Sequence, residues 1–152
     1  MTTEPQISER PAQPYLGLRR DVTDGVSAAV DGAFPELFRR LSAAGVQPAG
    51  PPFIRFLAVD DEGDPTELEL AAPVDADAAT DALPAGRYAT LVHVGPYRSE
   101  TQPDLAVARA ALQDWAEREG LTVSGYLEHY RIGPVEEPDY AKWETELAFL
   151  VD

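Results

Sequence analysis

The sequence contains no cysteine among its 152 residues. This absence excludes disulfide frameworks, thiolate zinc sites and cysteine nucleophiles together. A chain of this length buries about two thirds of the surface that it would expose when unfolded, so it needs no covalent or metal staple. The length is typical of one domain.

Basic residues are also scarce. There are 12 Lys plus Arg against 27 Asp plus Glu, and the formal net charge is −15. Nucleic-acid binding needs clustered cations that neutralise phosphates, and an anionic membrane surface would repel so acidic a chain. The composition therefore predicts neither nucleic acid nor membrane as a direct partner, and it favours a neutral or cationic molecule.

Long apolar runs are missing as well. No stretch of about 18 apolar residues is present, which excludes a membrane-spanning helix. Residues 1–14 lack the basic start and the apolar stretch of a secretory signal. At 44% hydrophobic residues, the chain has enough apolar material for a core. We expect a cytoplasmic monomer.

Motifs for metal or cofactor chemistry are not found. His93 and His129 are the only histidines, and no HExxH spacing exists. The acidic turn at residues 60–65 lacks the ligand spacing and the closing glutamate of an EF-hand. Neither a GxSxG elbow nor a glycine-rich phosphate loop occurs. We therefore expect no metal and no cofactor.

The first half of the chain predicts a strand, a helix and a hairpin. A strand over residues 15–22 precedes a helix that ends at Gly45, a suitable C-cap residue. Residues 53–59 and 66–74 flank the acidic turn and are typical of a β-hairpin. The helix has one apolar stripe, made of Val30, Phe34, Leu37, Phe38 and Leu41.

The second half predicts the same order of elements. A strand over residues 86–97 precedes a helix that begins at Pro103 and ends before Gly120. Residues 125–133 and 142–151 form a second hairpin. The core stripe of this helix consists of Leu105, Ala108, Leu112 and Trp115.

The two halves also correspond in sequence. Gly45 and Gly50 lie 75 residues before Gly120 and Gly125. A shift of 77 aligns Glu67, Glu69, Leu70, Ala71 and Val74 with Glu144, Glu146, Leu147, Ala148 and Val151. The sequence therefore predicts an α+β fold of tandem duplicated βαββ units, with antiparallel sheets, helices on one face and a ligand groove at the junction.

The domain boundaries follow from this repeat. Residues 1–14 contain three prolines and no apolar period, which predicts a disordered N-terminal tail. Residues 15–152 form a single ligand-binding domain, with half-units at about residues 15–75 and 84–152.

The segment that points to function is Tyr126-Leu127-Glu128-His129-Tyr130. Side chains alternate along a strand, so Tyr126, Glu128 and Tyr130 share one face. Aromatic faces attract cations by about 0.5–2 kcal/mol per ring, and a cation would relieve the cost of a partly buried carboxylate. The pattern predicts an aromatic cage around one fixed negative charge. The alternative is an edge strand with a solvated Tyr-Glu-Tyr face.

The pairing of the last hairpin decides which residues join Glu128. A symmetric loop would place Glu128 opposite Glu146, with two carboxylates on one face. A slip of one residue would bring Trp143 to that face and remove the pair. The sequence leaves both registers open. Further candidates for the walls of the site are Tyr88, Tyr97, Tyr140 and Trp143.

These motifs resemble the GyrI-like small-molecule-binding domain. The likeness runs from Tyr15 to Val151, and its motifs are YATLVHVGPY, DWAEREGL, GYLEHYRIGP and WETELAFLV. The family includes effector-binding domains of AraC-type and MerR-type multidrug regulators, and stand-alone proteins. Its last strand carries a proline before the final apolar residue. Leu150 stands at that place here, whereas the first half keeps Pro73.

The resemblance implies a duplicated βαββ fold with a central groove, in which a glutamate meets lipophilic cations among aromatic rings. Glu128 matches that glutamate, and Glu146 matches a second acidic position. Some stand-alone members hydrolyse cyclopropane-containing, DNA-alkylating compounds, where Glu128 with help from Tyr130 would activate water. The first 14 residues are too few for a helix-turn-helix, so a stand-alone multidrug-type binding protein is expected, with the hydrolase as the alternative.

A third hypothesis uses the negative charge itself. Such a surface would mimic nucleic acid and occupy a basic protein partner such as DNA gyrase, as a gyrase-inhibitor-like module. A solvated hairpin and linker is the simpler explanation. Residues 60–81 contain no Lys or Arg and nine acidic residues, Asp60, Asp61, Glu62, Asp64, Glu67, Glu69, Asp75, Asp77 and Asp81.

Overall fold

The computed structural model describes residues 2–151, which form an α+β fold of two βαββ units with antiparallel strands. Its elements are β1 (Gln6–Arg10), β2 (Gln13–Asp21), α1 (Val26–Ala44), β3 (Phe53–Val59), β4 (Pro65–Pro73), β5 (Asp81–Leu83), β6 (Gly86–Val94), α2 (Leu105–Arg118), β7 (Val123–Ile132) and β8 (Glu144–Val151). Short 3₁₀ turns occur at Ala76–Ala78 and Tyr140–Lys142. Within the described range, no helix combines the length and the apolar character needed to cross a membrane.

The first unit comprises residues 11–85. Its strands follow the order β3–β4–β2–β5, and α1 packs on β2 and β4. The buried side of α1 consists of Ala33, Leu37 and Leu41, which face a sheet with the fully buried Leu68 and Leu70. Phe38, which the sequence places on the apolar stripe, is 46% exposed and stacks on Phe34 instead.

The second unit comprises residues 2–10 together with 86–151. Its strands follow the order β1–β6–β8–β7, and α2 packs on β6 and β8. Asp104 caps the start of α2, because its carboxylate accepts hydrogen bonds from the backbone N–H groups of Ala106 and Val107. The buried residues of α2 are Ala108, Leu112 and Ala116. Trp115, which was predicted to lie on the core stripe, is only half-buried.

The predicted disordered tail is wrong at two places, because residues 13 and 14 belong to β2 and residues 6–10 form strand β1. This strand pairs antiparallel with β6, from Gln6 opposite Thr90 to Arg10 opposite Gly86. Backbone hydrogen bonds supply the pairing and need no apolar side chains, so hydrophobic periodicity does not reveal it. Arg10 adds an ion pair to Glu146, with 2.8 Å between Nη1 and Oε1.

Candidate functional site

Glu128 lies in the middle of β7 and is held by two phenols. The hydroxyl of Tyr126 donates to Oε2 at 2.6 Å, and that of Tyr130 donates to Oε1 at 2.7 Å. Only 7% of Glu128 is exposed, so the alternative of a solvated Tyr-Glu-Tyr face is wrong. Both carboxylate oxygens therefore have fixed donors, and the carboxylate has a fixed orientation.

Helix α2 brings a positive charge to this group. The Cζ atom of Arg109 lies 4.7 Å from the ring centroid of Tyr126, which is a cation–π contact. The sequence reasoning missed Arg109, although a signal for it exists. It stands four residues after Leu105 and three before Leu112, so it is a lone arginine on the apolar stripe of the helix.

Burial dominates the electrostatics of Glu128. Loss of water raises the pKa of its carboxyl, while the hydrogen bonds from Tyr126 and Tyr130 and the charge of Arg109 act to lower it. The net pKa is above the usual range. The pKa values of both phenols are also well above normal, first because of burial and then because of the Glu128 charge. The two hydrogen bonds and the charge of Arg109 therefore do not fully compensate the Glu128 carboxylate for its lost hydration.

A row of aromatic rings runs from Tyr130 toward the surface. Ring centroids are 5.7 Å apart for Tyr130 and Tyr97, 4.7 Å for Tyr97 and Trp143, and 6.4 Å for Trp143 and Tyr140. Tyr140, at the outer end, is 51% exposed. Burial, with the charges of Glu136 and Glu128, raises the pKa of Tyr97 to about 12, so its phenol stays protonated at neutral pH.

The structure separates Glu146 from Glu128. In the β7–β8 pairing, Glu128 lies opposite Leu147 and His129 opposite Glu146. Partners across a ladder share a face and neighbours along a strand do not. The symmetric register is therefore wrong, and the other register left open by the sequence, which removes the pair of carboxylates, is the one present. A register shift between Tyr130 and Ile132 produces this outcome, and a loop assumed to be symmetric does not predict it.

Tyr88 is likewise on the other face, beside Glu146. The guanidinium of Arg10 lies 5.6 Å from the Tyr88 ring and also pairs with Glu146. Arg131 donates from Nη2 to Glu146 at 2.7 Å. Burial would raise the pKa of Glu146, but Arg10, Arg131 and His129 together hold it below its usual value. Glu146 thus has the cationic partners that a buried carboxylate needs.

The acidic turn between β3 and β4 is organised by its own backbone. The Asp60 carboxylate accepts from the N–H groups of Glu62 and Asp64, both at 2.9 Å. Such bonds are typical of a self-capped turn. Across residues 2–151, no three or more His, Asp or Glu side chains are grouped so as to hold a metal ion.

A buried carboxylate, two phenols and an adjacent aromatic row in a duplicated βαββ chain are typical of proteins that take small apolar molecules with a polar anchor. The family model of the GyrI-like small molecule binding domain matches residues 3–152. The chain belongs to this family, and small-molecule binding is the function of the domain. No curated protein matches the sequence significantly.

Solved structures share the fold at low sequence identity. The C-terminal domain of EcmrR superposes with a TM-score of 0.82 at 22% identity, and the match covers 98% of this chain and 97% of that one. SAV2435 bound to tetraphenylphosphonium gives a TM-score of 0.62 at 15% identity, covering 99% and 94%. A hydrolase encoded by lin2189 from Listeria innocua gives 0.60 at 17%, covering 98% and 92%.

Proposed function

We propose that this chain is a cytoplasmic, multidrug-type protein that binds lipophilic aromatic cations at Glu128. The observation that carries the proposal is a carboxylate that is 7% exposed and whose pKa stays raised despite three favourable contacts. A cationic ligand would supply the missing compensation, and the gain grows because the site excludes water.

The site favours a bound cation over a bound anion, because it combines the Glu128 carboxylate with aromatic faces. Tyr126 and Tyr130 fix both oxygens of Glu128, so little side-chain entropy is lost when a ligand binds. Aromatic faces add attraction for a delocalised positive charge and contact area for an apolar one. The ligand class is therefore a flat or bulky aromatic cation, with Tyr97, Trp143 and Tyr140 as the outer binding residues.

A relative of the same fold supports this class of ligand. SAV2435 has been solved with tetraphenylphosphonium, a cation whose charge is covered by four phenyl rings. That ligand combines an apolar surface with one positive charge. It therefore serves as the first probe for the present chain.

The test is calorimetric titration of tetraphenylphosphonium into wild type and Glu128→Gln. The amide keeps the size of the side chain and removes its charge, so we expect binding to weaken about tenfold or more at pH 8. Glu117→Gln, an exposed change on α2, is the matched control and should bind as wild type does. Equal affinities for wild type and Glu128→Gln would refute the proposal.

The pH dependence of binding follows from the same pKa. Protonation removes the charge of Glu128, and a raised pKa means that this happens at a higher pH than for an ordinary glutamate. Wild-type affinity for the cation should therefore fall as the pH is lowered toward 5. The Glu128→Gln titrations should be flat over the same range.

A second function is hydrolysis of reactive cyclopropane compounds, favoured by the raised pKa of Glu128 and by the fold shared with a Listeria hydrolase. Ionised Glu128 would take a proton from water while the hydroxyl oxygen attacks a ring carbon. The ring carbon–carbon bond breaks, its electron pair moves to a conjugated acceptor, and that acceptor takes up the proton that Glu128 removed from water. Mass spectrometry would show repeated turnover to a product heavier by one water, whereas stoichiometric protection alone rejects this function.

A further inference from the structure

The two units differ at one pair of corresponding positions. In the first unit, Ile54 of β3 lies opposite Leu70, as Glu128 of β7 lies opposite Leu147 in the second. The first unit therefore has an apolar side chain where the second has its buried carboxylate. The two positions correspond through their ladder partners: Ile54 is the second residue of β3, and Glu128 lies in the middle of β7.

The helices differ at the corresponding place. Their buried residues align pairwise, Ala33, Leu37 and Leu41 with Ala108, Leu112 and Ala116. Both helices also end on the same motif, since Val46 N–H bonds to the Leu41 carbonyl and Leu121 N–H to that of Ala116. In this alignment Phe34 corresponds to Arg109. The unit with the apolar strand residue has an apolar helix residue, and the unit with Glu128 has an arginine.

Arg109 therefore belongs to the Glu128 site rather than to the scaffold. The corresponding position of the first unit is occupied by Phe34, which is half-buried and stacks on Phe38, so the fold does not require a charge there. The Arg109 guanidinium lies 4.7 Å from the Tyr126 ring, and its charge stabilises ionised Glu128. A positive group on an aromatic face beside a carboxylate is the arrangement that a cationic ligand would have there.

We propose that Arg109 is a resident cation of the site, which competes with cationic ligands for Tyr126 and Glu128 and so sets their affinity. This inference rests on the proposed cation-binding function. A ligand must gain more from the rings than the guanidinium loses on leaving them. Bulky aromatic cations meet that condition, whereas small hydrophilic cations do not. A neutral aromatic ligand has no charge with which to pair with Glu128, and it therefore leaves Arg109 in place.

The test compares Arg109→Gln with Arg118→Gln by titration calorimetry. Both changes remove one positive charge from α2, but Arg118 is exposed in the last turn. Arg109 acts to lower the pKa of Glu128, so its removal favours the protonated carboxyl. Titrations are therefore run at pH 8.5, which favours the carboxylate while the raised pKa values keep Tyr97, Tyr126 and Tyr130 neutral. We expect tetraphenylphosphonium to bind about tenfold more tightly to Arg109→Gln and unchanged to Arg118→Gln.

A neutral probe separates competition from general loosening of the site. Triphenylphosphine oxide has no net charge, and its oxygen can accept a hydrogen bond from Arg109, so its affinity should stay the same or fall in Arg109→Gln. A similar gain for both probes would show that the variant merely opens the site, and it would overturn the inference. Thermal unfolding checks the fold of each variant, and if Arg109→Gln fails to fold, Arg109→Phe is judged by the same criteria.

The outcomes for the inference and for the function are distinct. If wild type binds the cation through Glu128 and Arg109→Gln binds it equally or more weakly, the resident-cation inference fails and the proposed function stands. If neither wild type nor Arg109→Gln binds the cation, the proposed function fails, and the inference fails with it. If wild type binds the cation and Arg109→Gln binds it more tightly, with the neutral probe showing no such gain, both stand, whereas binding to the variant without binding to wild type contradicts the proposed function.

Discussion

Arg10 holds Glu146 through two contacts, with Nη1 2.8 Å from Oε1 and Nη2 2.9 Å from Oε2. This bidentate pair connects the edge strand β1 to a carboxylate that is 5% exposed. No local pattern in the sequence predicts this contact, because the two residues are far apart along the chain. It adds to the backbone pairing with β6 that orders a segment without an apolar period.

Replacement of Arg10 should loosen β1 selectively. Arg10→Gln leaves Glu146 with Arg131 as its strong partner, so we expect a loss of about 1–3 kcal/mol of unfolding free energy. The backbone amides of β1 should exchange with solvent faster, while those of β4 in the first unit stay protected. Arg87→Gln, at an exposed position of β6, is the control. Unchanged exchange in β1 would contradict this role for Arg10.

His129 should make the protein less stable in mild acid. Burial, opposed by Glu146 and reinforced by Arg10 and Arg131, lowers the pKa of His129 to about 4. The unfolded chain binds the proton near pH 6.5, so stability is lost as the pH falls from 6.5 through 4. The loss attributable to this group is of the order of 3 kcal/mol.

His129→Gln removes the titrating group and should flatten this part of the profile. Urea unfolding at several pH values between 4 and 7 measures the effect as the difference between the two proteins. His93→Gln is not a suitable control, because His93 is fully buried and bonds the Pro96 carbonyl. Parallel profiles for wild type and His129→Gln would show that other groups cause the acid sensitivity.

Gly17 should not tolerate a side chain. A Cβ atom there would lie 2.7 Å from Oε2 of Glu69 and 2.9 Å from the ring of Tyr15. Neither group can withdraw easily, since both are buried and the Tyr15 hydroxyl bonds Glu69 at 2.6 Å. We expect Gly17→Ala to cost about 1–3 kcal/mol of unfolding free energy.

Gly50 provides the matched control for that substitution. The nearest atom to a Cβ at Gly50 is 3.8 Å away, in Pro73, which is ordinary contact. Gly50→Ala should therefore be neutral or slightly stabilising, because it reduces the freedom of the unfolded chain. Equal destabilisation by the two substitutions in chemical unfolding would show that contact with Glu69 and Tyr15 is not the cause.

Local patterns in the sequence predict the helices, the hairpins and the repeat. Capping glycines and apolar spacing are local properties, so the end of α1 at Gly45 and the hairpin at 53–73 are read directly from them. The alternation along β7 brings Tyr126, Glu128 and Tyr130 to one face for the same reason.

Features set by long-range contacts are not predicted. The sequence left open whether Glu146 lies beside Glu128, because the register of the hairpin depends on a bulge that no residue type predicts. Strand β1 depends on backbone pairing with β6 and on an ion pair, both between residues that are distant along the chain. Arg109 is not predicted because a charged residue does not contribute to the apolar pattern of a helix face, although a charge at such a position is itself a signal.

The second unit takes its edge strand from the other end of the chain. Arg10 pairs with Gly86, with the whole first unit between them in sequence. During synthesis, β1 therefore leaves the ribosome early and has no partner until β6 follows it, whereas the first unit already has all four of its strands. Closing so long a loop costs conformational entropy. We expect the first unit to fold during translation and β1 to join its sheet late.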